Sequence, residues 1–463
     1  MLSLLIGGFI ALLNETILNV AFPQLMSSLN VPLTTIQWLG TAYMLIIGIS
    51  VPVTAFLIKT FSTRTLYLSA MTIFMAGTVF CGISNDFPSL LVSRVLQGCG
   101  TGMLLPIMMD TIMEIFPLSK RGTAMGVCMM IVVAAPGIGP TISGFVLQYL
   151  NWHWLFFIIL PFAVLSIFLG VLFLKSYSEL TKPKIDILSI ILSTIGFGGL
   201  IFGISAIETM GFGNVTVFVS LICGIVGLFL FARRQLSLPQ PMLNIRIFRY
   251  PMFTLGTILL FLSFMMPFAV NIILPTYMQE VLKTTTSAAG LALLPGSIVN
   301  IIVVPVIGRL YDKIGAKPLV VTGFAAMATC MFFLSRITAT STLGLLIAMQ
   351  VLMTFGIALI ITPAQTNSLN QLSPKDMAHG VAILNTTQQI AAAFGSSLFI
   401  GLMGVVSARN LAHVQEVDIA QQINATVTGA NTAFMAAFIC VSIGLVLSFF
   451  MMKPRKADTH NRF

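Results

Sequence analysis

Two residues of opposite charge stand where a chain this apolar should carry none. Glu15 follows Asn14 inside the first long aliphatic run, and Arg94 lies inside another at 89–113. Asp110 sits near the end of that second run, four residues before Glu114 in "MMDTIMEIFP", so the two acids share one helix face. A charge at mid-bilayer costs a few kcal/mol even on lenient scales, which makes such residues rare and functional by default. The chemistry open to them is proton binding and release, because burial and a neighbouring arginine act oppositely on the proton of an acid. Counting helix rise, Glu15 lies roughly 12 Å and Arg94 roughly 9 Å below the same surface. Three roles stand open for Glu15: proton carrier, half of a static ion pair with Arg94, or anchor for a cargo. Asp110 is placed to draw cations or protons toward an inner cavity, whereas Glu114 is expected to reach Lys120 or Arg121 in the adjoining loop.

The elements that must position these groups follow from composition. The 463 residues are 57% hydrophobic and 8% charged, against about 25% charged in soluble proteins. Apolar stretches of roughly 20 residues, enough to cross the hydrocarbon of a bilayer, recur along the whole chain. Polar, glycine and proline punctuation divides them into fourteen spans: 2–23, 36–58, 65–84, 89–113, 123–147, 154–174, 187–207, 215–232, 252–275, 287–308, 318–335, 342–363, 380–405 and 431–452. These are helices 1 to 14 below. Sorting the connecting loops alternately puts 19 lysines and arginines on one side and 3 on the other, with Arg94 inside a span. Basic loops mark the cytoplasmic side, so both termini are expected inside, in the cell membrane. The net charge of +10 is therefore topology, and no nucleic-acid partner is expected. The six cysteines fall inside apolar runs and read as small core side chains. Leu2–Pro23 lacks a basic leader and an A-x-A site, so no cleavable signal is expected. The chain begins almost inside its first helix, as if a short leader were missing.

An internal repeat appears at an offset of 253, where Pro52, Val53, Leu57, Leu66 and Phe80 match Pro305, Val306, Leu310, Leu319 and Phe333. Helix 1 then corresponds to helix 9, and helix 6 to helix 14. The expected division is an N-terminal six-helix bundle (1–174), an inserted pair with flanking loops (175–250) and a C-terminal six-helix bundle (251–463). Parallel halves with a path between them are a transporter architecture.

Four motifs carry a resemblance. "GRLYDKIGAKP" (308–318) is similar to the loop motif of the major facilitator superfamily, "RVLQGCGTG" (94–102) to its helix-4 motif, "APGIGPTISG" (135–144) to its helix-5 antiporter motif, and "NWHWLFFIILP" (151–161) to the sequence that follows it. With fourteen spans and "LNETILNVAFP" (13–23) in helix 1, the whole chain resembles the fourteen-helix drug:proton antiporters of the EmrB/QacA type, and "ITPAQTNSLNQL" (361–372) their lincomycin-exporter-like branch. The resemblance implies an all-α membrane protein with the major facilitator fold, two six-helix bundles plus an inserted pair. It implies a monomeric, non-enzymatic exporter of amphipathic cationic or neutral compounds, driven by the proton motive force without a cofactor. Export of one physiological solute is the alternative. Proton coupling would fall to Glu15, Arg94 and Asp110. The family usually has aspartate at the position of Asn14; here the carboxylate is one residue on, about 100° around the helix.

Gating roles are implied for Gly308, Asp312, Gly315 and Lys317, with Asp312 expected at the start of helix 11, where the helix dipole favours an acid. They are also implied for Pro136, Gly139, Pro140 and Gly144, whose prolines interrupt the helix ladder while the glycines admit a neighbouring backbone. In the first-half loop, Lys59 and Ser62 replace the family's aspartate and glycine, so no latch is expected there. Neutral polar residues within the spans are candidate cavity liners: Asn14, Asn19, Gln97, Asn271, Gln365, Asn385 and Gln389, with Asn367 and Gln388 beside them. Each can equally serve a helix–helix hydrogen bond. The polar stretch 406–430 is read as lying outside, with a short helical pattern, as either a cap on the outer vestibule or a plain connector.

Overall fold

A run of apolar residues in hydrocarbon must satisfy every backbone N–H and C=O within itself, and helices are one of two ways to do so. The computed structural model describes residues 1–115, 118–174, 186–210, 214–238, 241, 243–373, 376–411 and 418–452, and no strand occurs among them. Thirteen helices are long and apolar enough to cross a membrane. A further helix, Trp38–Thr60 with 23 residues, completes the fourteen. Helix 1 runs over Leu2–Leu29 and helix 3 over Thr63–Ile83. Helix 4 is Phe87–Ile115, helix 5 is Leu118–Tyr149, and helix 6 is Trp154–Phe173 in two pieces. Helices 7 and 8 are Ile187–Met210 and Val215–Ser237. Helices 9 to 14 are Pro251–Glu280, Thr286–Ile314, Ala316–Leu334, Leu343–Leu369, Met377–Leu411 and Ile419–Ser448. An even number of crossings leaves residues 1 and 452 on the same face, called the terminus face below.

Helices 1 to 6 pack among themselves, as do helices 9 to 14. The two bundles meet along helix 5 against helix 10 and along helix 2 against helix 13. Helices 7 and 8 pair closely with each other, and helix 7 lies against helices 2 and 13, one from each bundle. Helix 8 turns its far side outward, with Phe218, Ile225 and Phe229 exposed to the lipid.

Four features depart from the sequence reading. Helix 1 is not one rod: its α-helix ends at Thr16, a 3-10 turn spans Asn19–Ala21, and a second α-helix begins at Phe22. Pro23 accounts for this, since its ring cannot donate to the carbonyl of Asn19 and clashes with it. Asp312 lies in the last turn of helix 10, not at the start of helix 11, because helix 10 continues to Ile314. The turn is made by Gly315 alone, whose φ of 83° suits a residue without a Cβ; Lys317 follows, exposed, in the first turn of helix 11. Gly308 is within helix 10 with open space beside it, so it makes neither a turn nor a close approach. Finally, residues 419–430 are the opening turns of helix 14, started by an Asp418 capping box with Gln421. The Glu114, Lys120, Arg121 and Glu208 side chains and the basic tail 453–463 lie outside the described set, as do the side chains of Lys59 and Asp312.

Candidate functional site: a cavity between the bundles

A cavity of about 1360 Å³, counting its opening to solvent, lies between the two bundles. Its N-terminal wall comes from helices 1, 4 and 5 and is largely apolar: Leu12, Leu105, Met109 and Val132 beside Glu15. Its C-terminal wall comes from helices 9, 10, 12 and 13 and is rich in neutral polar groups, Asn271, Asn300, Gln350, Gln365, Asn385 and Gln389 among them. Glu15 is the one ionisable side chain among the described residues of this lining. It is 3% exposed, and its Oε1 has no hydrogen-bond partner. Across the cavity, the Oε1 of Gln350 and of Gln389 and the Oδ1 of Asn300 are also buried without partners. Gln350 does hold Asn271, donating from Nε2 to Oδ1 at 3.4 Å. Asn385 reaches across the seam to the Met109 sulfur at 3.5 Å.

Arg94 is close by but turned another way. Its Nη1 donates to Gln97 Oε1 at 2.9 Å and to the Asn14 carbonyl at 3.3 Å, and its Nε donates to the Leu39 carbonyl at 3.4 Å. The guanidinium lies 4.0 Å from the centre of the Tyr43 ring, a cation–π stack. Tyr43 is itself fixed by its hydroxyl, 3.1 Å from the Ala11 carbonyl and 2.7 Å from Thr101 Oγ1. Gln97 continues the network to Thr78 Oγ1 at 2.8 Å. Glu15 is within electrostatic reach of Arg94, yet the two form no ion pair. The contact that the sequence suggested is replaced by a partition around helix 1. The Asn14 side chain turns toward Tyr43, on which the arginine stacks, and Glu15 faces the cavity, as a turn of about 100° per residue allows.

That partition corrects the list of cavity liners. Asn14, Asn19 and Gln97 are buried but are not part of the wall. Gln97 is held between helices 3 and 4, and Asn19 belongs to the 3-10 turn above Glu15. The Asn14 amide lies beside the Tyr43 hydroxyl without meeting hydrogen-bond geometry. Asn367 is fully buried outside the cavity. Asp110 is half-buried just beyond Met109 and also stands outside the lining.

The helix-5 motif closes the cavity on the side away from the termini. Gly144 packs onto the first turn of helix 10: a Cβ there would lie 3.1 Å from the Thr286 carbonyl and 3.4 Å from Gly290 Cα. Gly290 answers from helix 10, where a Cβ would stand 2.7 Å from the Pro140 carbonyl. Thr141 donates to the Gly290 carbonyl at 3.1 Å. Pro140 has no N–H for the carbonyl four residues back, that of Pro136. Thr16 supplies the missing donor from helix 1, its hydroxyl 2.9 Å from the Pro136 oxygen, in space that a Cβ on Gly139 would occupy. Thr16 and Tyr43 were not singled out in the sequence. The signal for Thr16 was present, since Pro140 orphans a carbonyl at a known position and Thr16 adjoins Glu15.

Two helical bundles around a central cavity with one buried acid define a multi-pass membrane transporter rather than an enzyme. The chain matches the family model described as Major Facilitator Superfamily over residues 4–396, and it belongs to that superfamily. It is 46% identical over 458 residues to the lincomycin resistance protein LmrB of Bacillus subtilis (strain 168), covering 98% of this chain and 96% of that one. It is 43% identical over 454 residues to the protein of the same name from Listeria monocytogenes serovar 1/2a, with 98% and 96% covered. The multidrug export protein EmrB of Escherichia coli (strain K12) is 27% identical over 400 residues, with 86% and 78% covered.

Proposed function

We propose that the chain is a multidrug exporter of the cell membrane, a secondary antiporter that moves amphipathic cationic or neutral compounds outward in exchange for protons. The observation that carries this reading is the lone buried carboxylate of Glu15 in the cavity wall, opposite a bank of amides. With neither lysine nor arginine in the described lining, the wall favours cationic or neutral cargo over anions. Apolar faces on the N-terminal side, including the adaptable Met109, suit varied hydrophobic groups. The names of the LmrB and EmrB relatives agree with export of antibiotics and other compounds.

The proposed orientation follows the distribution of basic residues, with both termini cytoplasmic. The closed side of the cavity is then external, and cargo enters from the cytoplasm. Cargo binding displaces the proton from Glu15 inward; reprotonation from outside follows when helices 5 and 10 part. Arg94 holds helices 1, 2 and 4 in register and sets the field at Glu15, and Asp110 draws protons or cations toward the inner opening. Energy comes from the proton motive force with no cofactor, and the working unit is a monomer. We propose the division at residues 174 and 250 for the two bundles and the inserted pair. The test is efflux of labelled lincomycin from a pump-deficient host and uptake into inside-out vesicles. Uptake driven by an imposed pH gradient supports the reading, and uptake indifferent to the gradient contradicts the proton coupling.

A further inference from the structure

Glu15 and the outer seam are separated by one residue and one hydrogen bond. Thr16 is the last residue of the α-helical part of helix 1, immediately before the break that Pro23 imposes. Its hydroxyl grips the Pro136 carbonyl of helix 5 at 2.9 Å. One turn further on, helix 5 is fixed to helix 10 through Thr141 and Gly144. A carbonyl left open by proline is a strong acceptor with no competing donor from its own helix, so the threonine couples the two helices at that depth.

We propose that Thr16 is a positioning residue: through its hydrogen bond to Pro136, it transmits the protonation state of Glu15 to the seam between helices 5 and 10. The proposal rests on Glu15 being the proton carrier. The charged or titratable groups that reach Glu15 are Arg94 on helix 4 and Tyr43 on helix 2; Cys99 and Asp110 lie further along helix 4, Asp110 roughly 24 Å beyond Arg94 along its axis. Helix 6 brings none within its span, and helix 5 carries Lys120, Arg121 and Cys128 toward the terminus face and Tyr149 at its far end.

The test uses the full chain, without its six cysteines, and spin labels at Phe145 and Leu291. Both positions are exposed, on the outer turns of helices 5 and 10. Distances between the labels are measured in acid and in alkaline buffer, alongside equilibrium binding of labelled lincomycin. Wild type and Thr16→Ser should redistribute between a short and a long distance as pH changes. Thr16→Val keeps the shape without the donor. It should bind lincomycin as wild type does while its pH-driven population ratio shrinks by roughly two- to thirtyfold, the range a single coupling contact supplies. A Thr16→Val protein that redistributes like wild type overturns the proposal. Should that variant fail to fold, Gly139→Ala displaces the threonine hydroxyl from the other side and must show the same loss; a wild-type response there is equally contrary. Glu15→Gln separates the two claims. If it still redistributes with pH, the Glu15 reading falls; if it is locked while Thr16→Val is not, only the role of Thr16 falls.

Discussion

Two acid–arginine couples among the described residues are treated in opposite ways. Asp186, at the foot of helix 7, meets Arg234 of helix 8 in a two-pronged contact, with Nη2 2.7 Å from Oδ1 and Nε 2.9 Å from Oδ2. Ser189 adds a hydrogen bond at 2.5 Å. The hydrogen bond from Arg234 holds the Asp186 carboxyl at about 2, below its ordinary 3.8. Glu15 and Arg94 are both buried, yet Arg94 turns Nε and Nη1 to Gln97 and two backbone carbonyls, and its Nη2 and the Glu15 Oε1 are both left without partners. A closed pair fixes its proton state and staples two helices. An open couple leaves the acid free to exchange a proton, and that is what a coupling site needs.

Making Glu15 permanently neutral should have the largest effect. Glu15→Gln keeps shape and hydrogen-bonding capacity, so the protein should still insert and bind lincomycin while pH-driven uptake into inside-out vesicles falls to background. Arg94 comes next, because its loss removes a charge-assisted bond from the buried Gln97 Oε1, leaving it only the weak Cys81 thiol donor, together with the bonds to the Leu39 and Asn14 carbonyls; bonds to a charged group contribute about 1.5–3 kcal/mol. Arg94→Ala should lower the thermal stability and yield of purified protein, and Arg94→Lys should recover only part, since lysine lacks the planar fork. Gly144→Leu should wedge helices 5 and 10 apart. Labelling of a cysteine at Thr286 by an impermeant maleimide in intact cells should rise, and transport should fall. The smallest effect belongs to the closed pair: Asp186→Asn should change transport by less than about twofold, as partly exposed pairs contribute little. Its sign with pH is fixed. Because the folded carboxyl sits below its unfolded value, the pair stabilises above about pH 3.8 and is lost as pH falls toward 2. The difference in thermal stability between Asp186→Asn and wild type should therefore shrink in acid.

Much of this architecture was legible because the bilayer imposes a strict code. Fourteen apolar runs, a repeat at 253 and the helix-5 motif gave the bundles and the seam at Gly144. Depth was legible too, since helix rise sets Glu15 and Arg94 at one level. Azimuth was not. Whether a side chain at that level meets a neighbour or a cavity depends on packing between helices distant in sequence. For that reason Asn14 and Gln97 read as liners although they are packed inside the N-terminal bundle, and Asn19 although it belongs to the 3-10 turn that meets helices 5, 9 and 10 outside the cavity wall. The helix 10 boundary was missed for a local reason: Gly308 and Gly315 are equivalent as letters, but only Gly315 takes a positive φ. Helix 14 starts early because Asp418 and Gln421 form a capping box, a signal hidden in a polar stretch read as a connector.

The most direct test of the open couple is proton release on cargo binding. Purified protein in weakly buffered detergent solution is mixed with lincomycin, and the pH change is followed with a soluble dye. If Glu15 is the carrier, wild type releases protons as its binding sites fill, Asp186→Asn does the same, and Glu15→Gln binds lincomycin but releases none. Equal proton release from Glu15→Gln and wild type would contradict the account.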